Sequence, residues 1–378
     1  MPLTAFSTSQ PGERDVDQVL ARASAQFGQP YSSVDAIPEA WRAFLRTDLQ
    51  CPGCFATGAE VVRGSVISKT GKSKRQSFFR FTTPGHNPYC EFDSDEAANF
   101  TPENLVSFGE SRSNLTRVVR DLVCTGIDQG VFSQVTIRDM REWFYKKRVS
   151  SLFEVTLDPR WFSWIEGLRR ARHAATGSLP DGVLLTQDIA SLPEFDWRAE
   201  AARRVLDQHP EIKGILEIVA GQRLWFSGES ASQLESLARR SRGRMVFDPN
   251  TLRIEYGKTV ALAQFIARNH APLKAEKARS LASVSVLAFS ALLLFVSGWD
   301  TTKAITSFIK IVSALGHADP ELGNVMGLNP FHNYETWNTM KRIQDLQLEV
   351  PDNSDIKAER VAMEVALRAQ FGAPPMPA

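Results

Sequence analysis

The sequence predicts an α+β fold that is predominantly helical, and three observations carry the expectation. Apolar residues recur at helical spacing over most of residues 104 to 172 and again toward both ends of the chain. Residues 60 to 82 break that period and read as two strands around a Gly-containing turn, a small β-hairpin module. Residues 197 to 256 mix helical runs with short strand-like runs, a small α/β segment. At 378 residues the chain is long enough for two or three domains and a sizeable core. Five stretches are delimited: N-terminal helices over 1–48, the hairpin module over 49–100, a helical domain over 101–175, a small α/β domain over 176–270 and a C-terminal helical region over 271–378.

The first 15 residues are polar and lack the basic-then-apolar layout of a secretory signal. Formal net charge is +1, so attraction for a polyanion must come from local patches. Helices are expected over residues 16 to 27 and 38 to 49. In the second, Trp41, Phe44 and Leu45 fall at helical spacing and suit a docking face for the module that follows.

Three of the four cysteines lie between residues 51 and 90. Cys51-Pro-Gly-Cys54 puts two thiolates on a tight turn, and His86-x-x-x-Cys90 brings an imidazole and a third thiolate. Together they form a Cys3His set, which closes a tetrahedral shell around one structural zinc ion; soft thiolates select zinc over magnesium or calcium. A redox pair and plain buried thiols are the alternatives. Between the two pairs, residues 60 to 80 carry Arg63, Lys69, Lys72, Lys74, Arg75 and Arg80 against the single acid Glu60. Such a basic hairpin suits nucleic-acid phosphates, with a solvated turn as the other reading.

Cys51-Pro-x-Cys54, the run Ser77-Phe78-Phe79-Arg80-Phe81 and the closing Cys90 resemble the zinc-knuckle module of CoiA-like competence proteins over about residues 48–95. Phe78 and Phe81 stand where that family has strand histidines, and His86 offers an imidazole from the loop instead. The resemblance implies a zinc module and a DNA-related setting. It also implies a nuclease-like domain downstream, but no Asp…Glu-x-Lys signature follows; the nearest match, Glu217, lacks the lysine.

Beyond the module, Thr101-Pro-Glu suits a helix start. Leu115, Val118, Val119, Leu122 and Val123 make one apolar face, and further helices are expected over 136–148 and 159–173. Their basic ends, with Trp161 and Trp164, suit either a nucleic-acid channel with stacking platforms or simple capping over core aromatics. Residues 174 to 196 form a connector. After it the sequence predicts helices over 197–208 and 230–241, strands over 214–219 and 223–227, and a hairpin of 244–247 with 252–256. His173, His209, His270, His317 and His332 are scattered and read as structural or exposed.

Residues 280 to 299 contain no charge. Twenty residues at helical rise span roughly 30 Å, enough for a bilayer core, and Lys274, Lys277 and Arg279 would keep the preceding chain in the cytoplasm. Five serines point instead to a buried helix, whose neighbours accept the hydroxyl hydrogen bonds, packed against 305–315 and 356–371. The string Asn333-Tyr-Glu-Thr-Trp-Asn338 resembles one in small phage- and plasmid-borne proteins, with a helix start packing Tyr334 and Trp337 as the other reading, and a last amphipathic helix is expected over 355–371.

The expected function is that of a non-catalytic zinc protein of a bacterial or mobile-element DNA-handling system, in the cytoplasm, contacting nucleic acid or a protein partner. The alternatives are a nuclease centred on Glu217 and Asp248, and a zinc protein tethered to the inner membrane by a single span over 280–299.

Overall fold

The structure, a computed structural model, describes residues 2–30, 34–66, 73–75, 77–88, 90, 92, 114–210, 228–275, 284–314, 316, 331, 334–347, 349–351 and 355–375. It is predominantly helical with small antiparallel sheets, an α+β chain. The chain begins with β1 (Thr4–Ser7), β2 (Gly12–Asp15), α1 (Val16–Phe27), α2 (Glu39–Asp48), β3 (Leu49–Gln50), β4 (Ala59–Val62), β5 (Ser65–Val66), β6 (Ser73–Arg75), β7 (Phe78–Phe81), α3 (Asn114–Asp128) and α4 (Gln134–Ser150). Next come β8 (Leu152–Glu154), α5 (Arg160–Ala174), α6 (Gln187–Ala190), α7 (Trp197–Asp207), α8 (Gly228–Ser241) and β9 (Met245–Phe247). The remainder forms α9 (Arg253–Asn269), α10 (Ala271–Ala275), α11 (Val284–Val296), α12 (Thr301–Ser313), α13 (Tyr334–Gln344) and α14 (Ile356–Gln370). Two compact units alternate along it. One holds Met1–Ser151 with Asn250–His332, the other Leu152–Pro249 with Asn333–Ala378.

In the first unit, β1 lies between β2 and β3, all antiparallel. Asp15 both ends β2 and caps α1 through a reciprocal capping box with Gln18, and Gly28 closes the helix at a left-handed φ of 64°. The polar opening residues therefore form strands where the sequence showed no element. Glu13 is 2 % exposed. It accepts hydrogen bonds from Thr4 Oγ1 and from the Arg141 guanidinium, so α4 is fastened to β2 by a buried ion pair. Asp48 at the end of α2 is held the same way, accepting from Ser7 Oγ at 2.6 Å, Thr8 Oγ1 at 3.0 Å and Ser9 N at 2.6 Å. Burial pushes its carboxyl up, but these bonds outweigh it and hold the group below the usual range.

The same unit contains a helical layer of α3, α4, α9, α11 and α12. Val119, Leu122, Val123 and Cys124 bury the expected face of α3. α11 is apolar around its whole circumference, which is why it is buried on all sides, with Phe289, Ala291, Leu293 and Leu294 fully enclosed by α9, α12, α3 and α4. Ser290 is also fully buried, yet its hydroxyl donates to Val286 O at 2.7 Å in its own helix. Serines therefore do not separate a core helix from a lipid-facing one here. Among the described residues no single helix is long and apolar enough to cross a membrane; α11 and α12 together reach that length and apolarity but are bent by 114°.

In the second unit α5 and α7 pack with α14, and α8 lies on α5. Trp161, Phe162, Trp164, Ile165 and Leu168 are core, which removes the two tryptophans as stacking platforms. Arg169 and Arg170 turn back on Glu166, each at 2.9 Å. The strand 244–247 is present as β9, but it pairs with β8 and not with 252–256, which starts α9. Residues 214–219 and 223–227 lie outside the described residues. The final helix packs on α7 and α5, while residues 305–313 pack on α11 within the first unit.

Gly167 marks the closest approach of α5 to α14: an added Cβ would lie 2.9 Å from Ile356 Cβ. Gly167→Ala is therefore expected to destabilise the second unit by about 1–3 kcal/mol through overpacking, despite alanine's better helix propensity. Thermal unfolding checks it; a stabilised variant would show that the helices give way freely.

Candidate metal centre

The chain around the four candidate ligands is shaped by short-range turns. Cys51 N donates to Ala56 O at 2.8 Å and Phe55 N to Cys51 O at 2.9 Å, which curls residues 51–56 into a knuckle, with Phe55 at φ 64°. Gly53 sits under the Phe92 ring, where a Cβ would come within 3.0 Å of the ring carbons. From the knuckle the chain enters β4, which pairs with β7 in register Ala59↔Phe81 to Val62↔Phe78, while β5 pairs with β6 further out. The antiparallel pairing of β4 with β7 falls where two strands were expected, while residues 73–75, expected in the turn between them, form β6. Gly58 at φ 87° has Thr83 O where a Cβ would be, so the two ends of the hairpin meet at a position only glycine fits. The loop after β7 then carries His86 and Cys90 back to the knuckle.

Cys51, Cys54, His86 and Cys90 converge, with all four ligand atoms within 4.8 Å of one another. A tetrahedral zinc with bonds of about 2.3 Å to sulfur and 2.05 Å to nitrogen sets S···S edges near about 3.8 Å and S···N edges near about 3.6 Å. The observed Cys51 Sγ to Cys90 Sγ separation is 3.8 Å, and His86 Nδ1 lies 3.6 Å from Cys54 Sγ and 3.4 Å from Cys90 Sγ. These three separations are close to those edges, and Cys51, Cys54 and Cys90 are free thiols with no S–S bond between them. Backbone N–H groups of Gly53, Asn87 and Phe92 donate to Cys51, Cys54 and Cys90, each at 3.4 Å, as thiolates require. Asn87 Nδ2 also donates to Cys54 O at 2.7 Å, tying the second ligand pair to the first.

The three thiols act strongly on one another through their mutual contacts. Burial pushes the Cys51 thiol up, and contacts with Cys51 and Cys54, then burial, push Cys90 up. Cys54 is held down by hydrogen bonds from Cys51 and Cys90. A divalent ion held among the three sulfurs would favour the thiolate form of each. Tyr145 on α4 stands beside the centre, its hydroxyl donating to Pro88 O at 2.9 Å and its ring 6.3 Å from that of Phe55. Burial and the nearby sulfur charges push it up to about 12.

The centre is part of a core. Cys51, Cys54 and Cys90 cluster with Trp41, Leu45, Leu49, Phe79, Phe81 and Phe92, so the face of α2 carrying Trp41 and Leu45 does pack on the module. The packing of Tyr145 and the ligand-tying role of Asn87 were not signalled by any spacing in the sequence.

Of the basic hairpin residues, Arg80 is half exposed and pairs across the ladder with Glu60 at 3.1 Å. Lys69 and Lys72, and the side chains of Lys74 and Arg75, lie outside the described residues. So do Glu217, the 101–103 helix start, His317, His332 and Asn333. Asp248 is 3.9 Å from Lys341, and His209 is 3.1 Å from Glu359. Burial pushes His270 down. Among the described residues no other His, Cys, Asp and Glu side chains gather closely enough to hold a metal.

The fold and the centre define an α+β chain with a Cys3His site able to hold a metal ion. Comparison of the chain with protein-family models, with curated proteins and with solved structures found no match.

Proposed function

We propose that Cys51, Cys54, His86 and Cys90 hold one structural zinc ion and that the module they close serves nucleic-acid contact in a bacterial or mobile-element DNA-handling system, without catalysis. The observation that carries the metal reading is the set of ligand separations, 3.8, 3.6 and 3.4 Å, which match the edges of a Cys3His shell. All four positions are filled by protein, leaving none for substrate water, which favours a structural ion over a catalytic one. The nucleic-acid reading is supported by the basic residues of the hairpin, Lys69, Lys72, Lys74, Arg75 and Arg80, and by the resemblance of residues 48–95 to the zinc knuckle of CoiA-like proteins.

Reversing Lys69, Lys72, Lys74 and Arg75 to glutamate tests this reading. Binding to DNA or RNA should weaken alike for all sequences. The slope of log affinity against log salt should fall by roughly 0.7–0.9 per lost phosphate contact. Equal affinity and equal slope in the quadruple variant would leave the hairpin a solvated turn.

A further inference from the structure

We infer that a pocket between α2 and the β4–β7 ladder binds a backbone phosphate of nucleic acid, with Arg42, Arg46 and Arg80 as its donors. The inference rests on the nucleic-acid reading above and adds two residues of α2 to it. The pocket has a volume of about 180 Å³. It is lined by the buried apolar side chains of Ile37, Leu45 and Ala59 and by the three arginines, with Glu60 the one carboxylate among its described lining residues.

Arg42 and Arg46 stand one helical turn apart on α2, so both reach the same side. Arg42 is steadied by donating its Nε to Ile37 O at 3.2 Å, which leaves the end of the guanidinium for a ligand. Arg46 rests on Glu39 at 3.2 Å and Arg80 on Glu60 at 3.1 Å, with arginine side chains 47 % and 50 % exposed. Exposed pairs of this kind contribute about 0–1 kcal/mol each, so a phosphate displaces the carboxylates at small cost. The planar fork of arginine matches two phosphate oxygens at once.

The size decides the class of ligand. Pockets for whole small molecules run from about 300 to 1,000 Å³, well above this one. A site for one group on a larger molecule is the better fit. In the sequence Arg80 follows the basic run 69–75 by five residues, so the proposed phosphate contacts of the hairpin fall within one short stretch of the chain. Such contacts set position and register and carry no sequence preference.

The test uses the zinc-loaded full chain and fluorescence anisotropy with DNA and RNA oligonucleotides, single- and double-stranded, at about 50 and 200 mM salt. Arg46→Gln with Arg80→Gln touches only half-exposed side chains, so the fold is retained. It should weaken binding roughly tenfold or more and lower the log–log salt slope by about 1.4–1.8. Glu60→Gln, which releases Arg80 and removes the pocket's carboxylate, should tighten binding severalfold, an outcome misfolding cannot imitate. If the hairpin-tip quadruple variant loses binding while the Arg46/Arg80 variant and Glu60→Gln match the wild type, the pocket is overturned and the nucleic-acid reading stands. If the wild type binds no oligonucleotide, or binds only phosphatidylserine vesicles, both are overturned.

Discussion

Cys51→Ser should abolish zinc binding and unfold the region from α1 to Phe92. Zinc binding in small structural modules is worth about 10–16 kcal/mol, as much as the whole stability of an ordinary domain. The loss cannot stay local, because Cys51 is fully buried in one cluster with Trp41, Leu49 and Phe79. Elemental analysis should give one zinc per chain for the wild type and none for the variant. Chelation of the wild type should reproduce the variant's melting curve. One zinc retained by Cys51→Ser, or a melting temperature unmoved by chelator, would rule the site out.

Arg141→Ala is the other large effect expected, at about 3–5 kcal/mol, which lowers the melting temperature by roughly 10 °C. The cost comes less from the lost attraction than from Glu13, which is 2 % exposed and keeps only Thr4 Oγ1 as its described side-chain donor. The double variant Glu13→Gln with Arg141→Met removes both charges and should recover most of the loss. If the double variant is as unstable as the single one, packing of the arginine stem, and not the orphaned carboxylate, holds α4 in place.

The ease with which each part was legible follows from how far its partners lie along the chain. The candidate metal ligands come as two local pairs, four and five residues long, and a turn-forming Pro-Gly makes the first readable without tertiary information. α11 was legible as apolar, but 13 residues of it are helical within the described chain, and whether neighbours or lipid cover them depends on α9 and α12. The start of α9 shows the opposite failure. Leu252, Ile254 and Tyr256 alternate like a strand, yet Ile254 is 71 % exposed and the buried positions Leu262, Ala263 and Ile266 follow helical spacing further on. β9 was found, but its partner β8 lies some ninety residues earlier, and no local pattern records such a pairing. The Glu13–Arg141 pair spans a separation of 128 residues and left no trace at all.

The alternation of the two units along the chain has a consequence for synthesis. The first unit is begun by Met1–Ser151 but needs α9, α11 and α12, which belong to Asn250–His332. At about 5–20 residues per second, a ribosome takes roughly 10 to 40 s to make the intervening stretch and the missing helices. Through that interval the apolar faces of α3 and α4 stand without their covering, while the four ligand residues, all within the first ninety, are already present. A metal-filled module would then be the earliest closed piece of the chain and would fix α1 and α2 before the helical layer assembles. Cells short of zinc, or of a chaperone that shields the waiting helices, should for that reason accumulate aggregated nascent chains rather than folded protein lacking its ion.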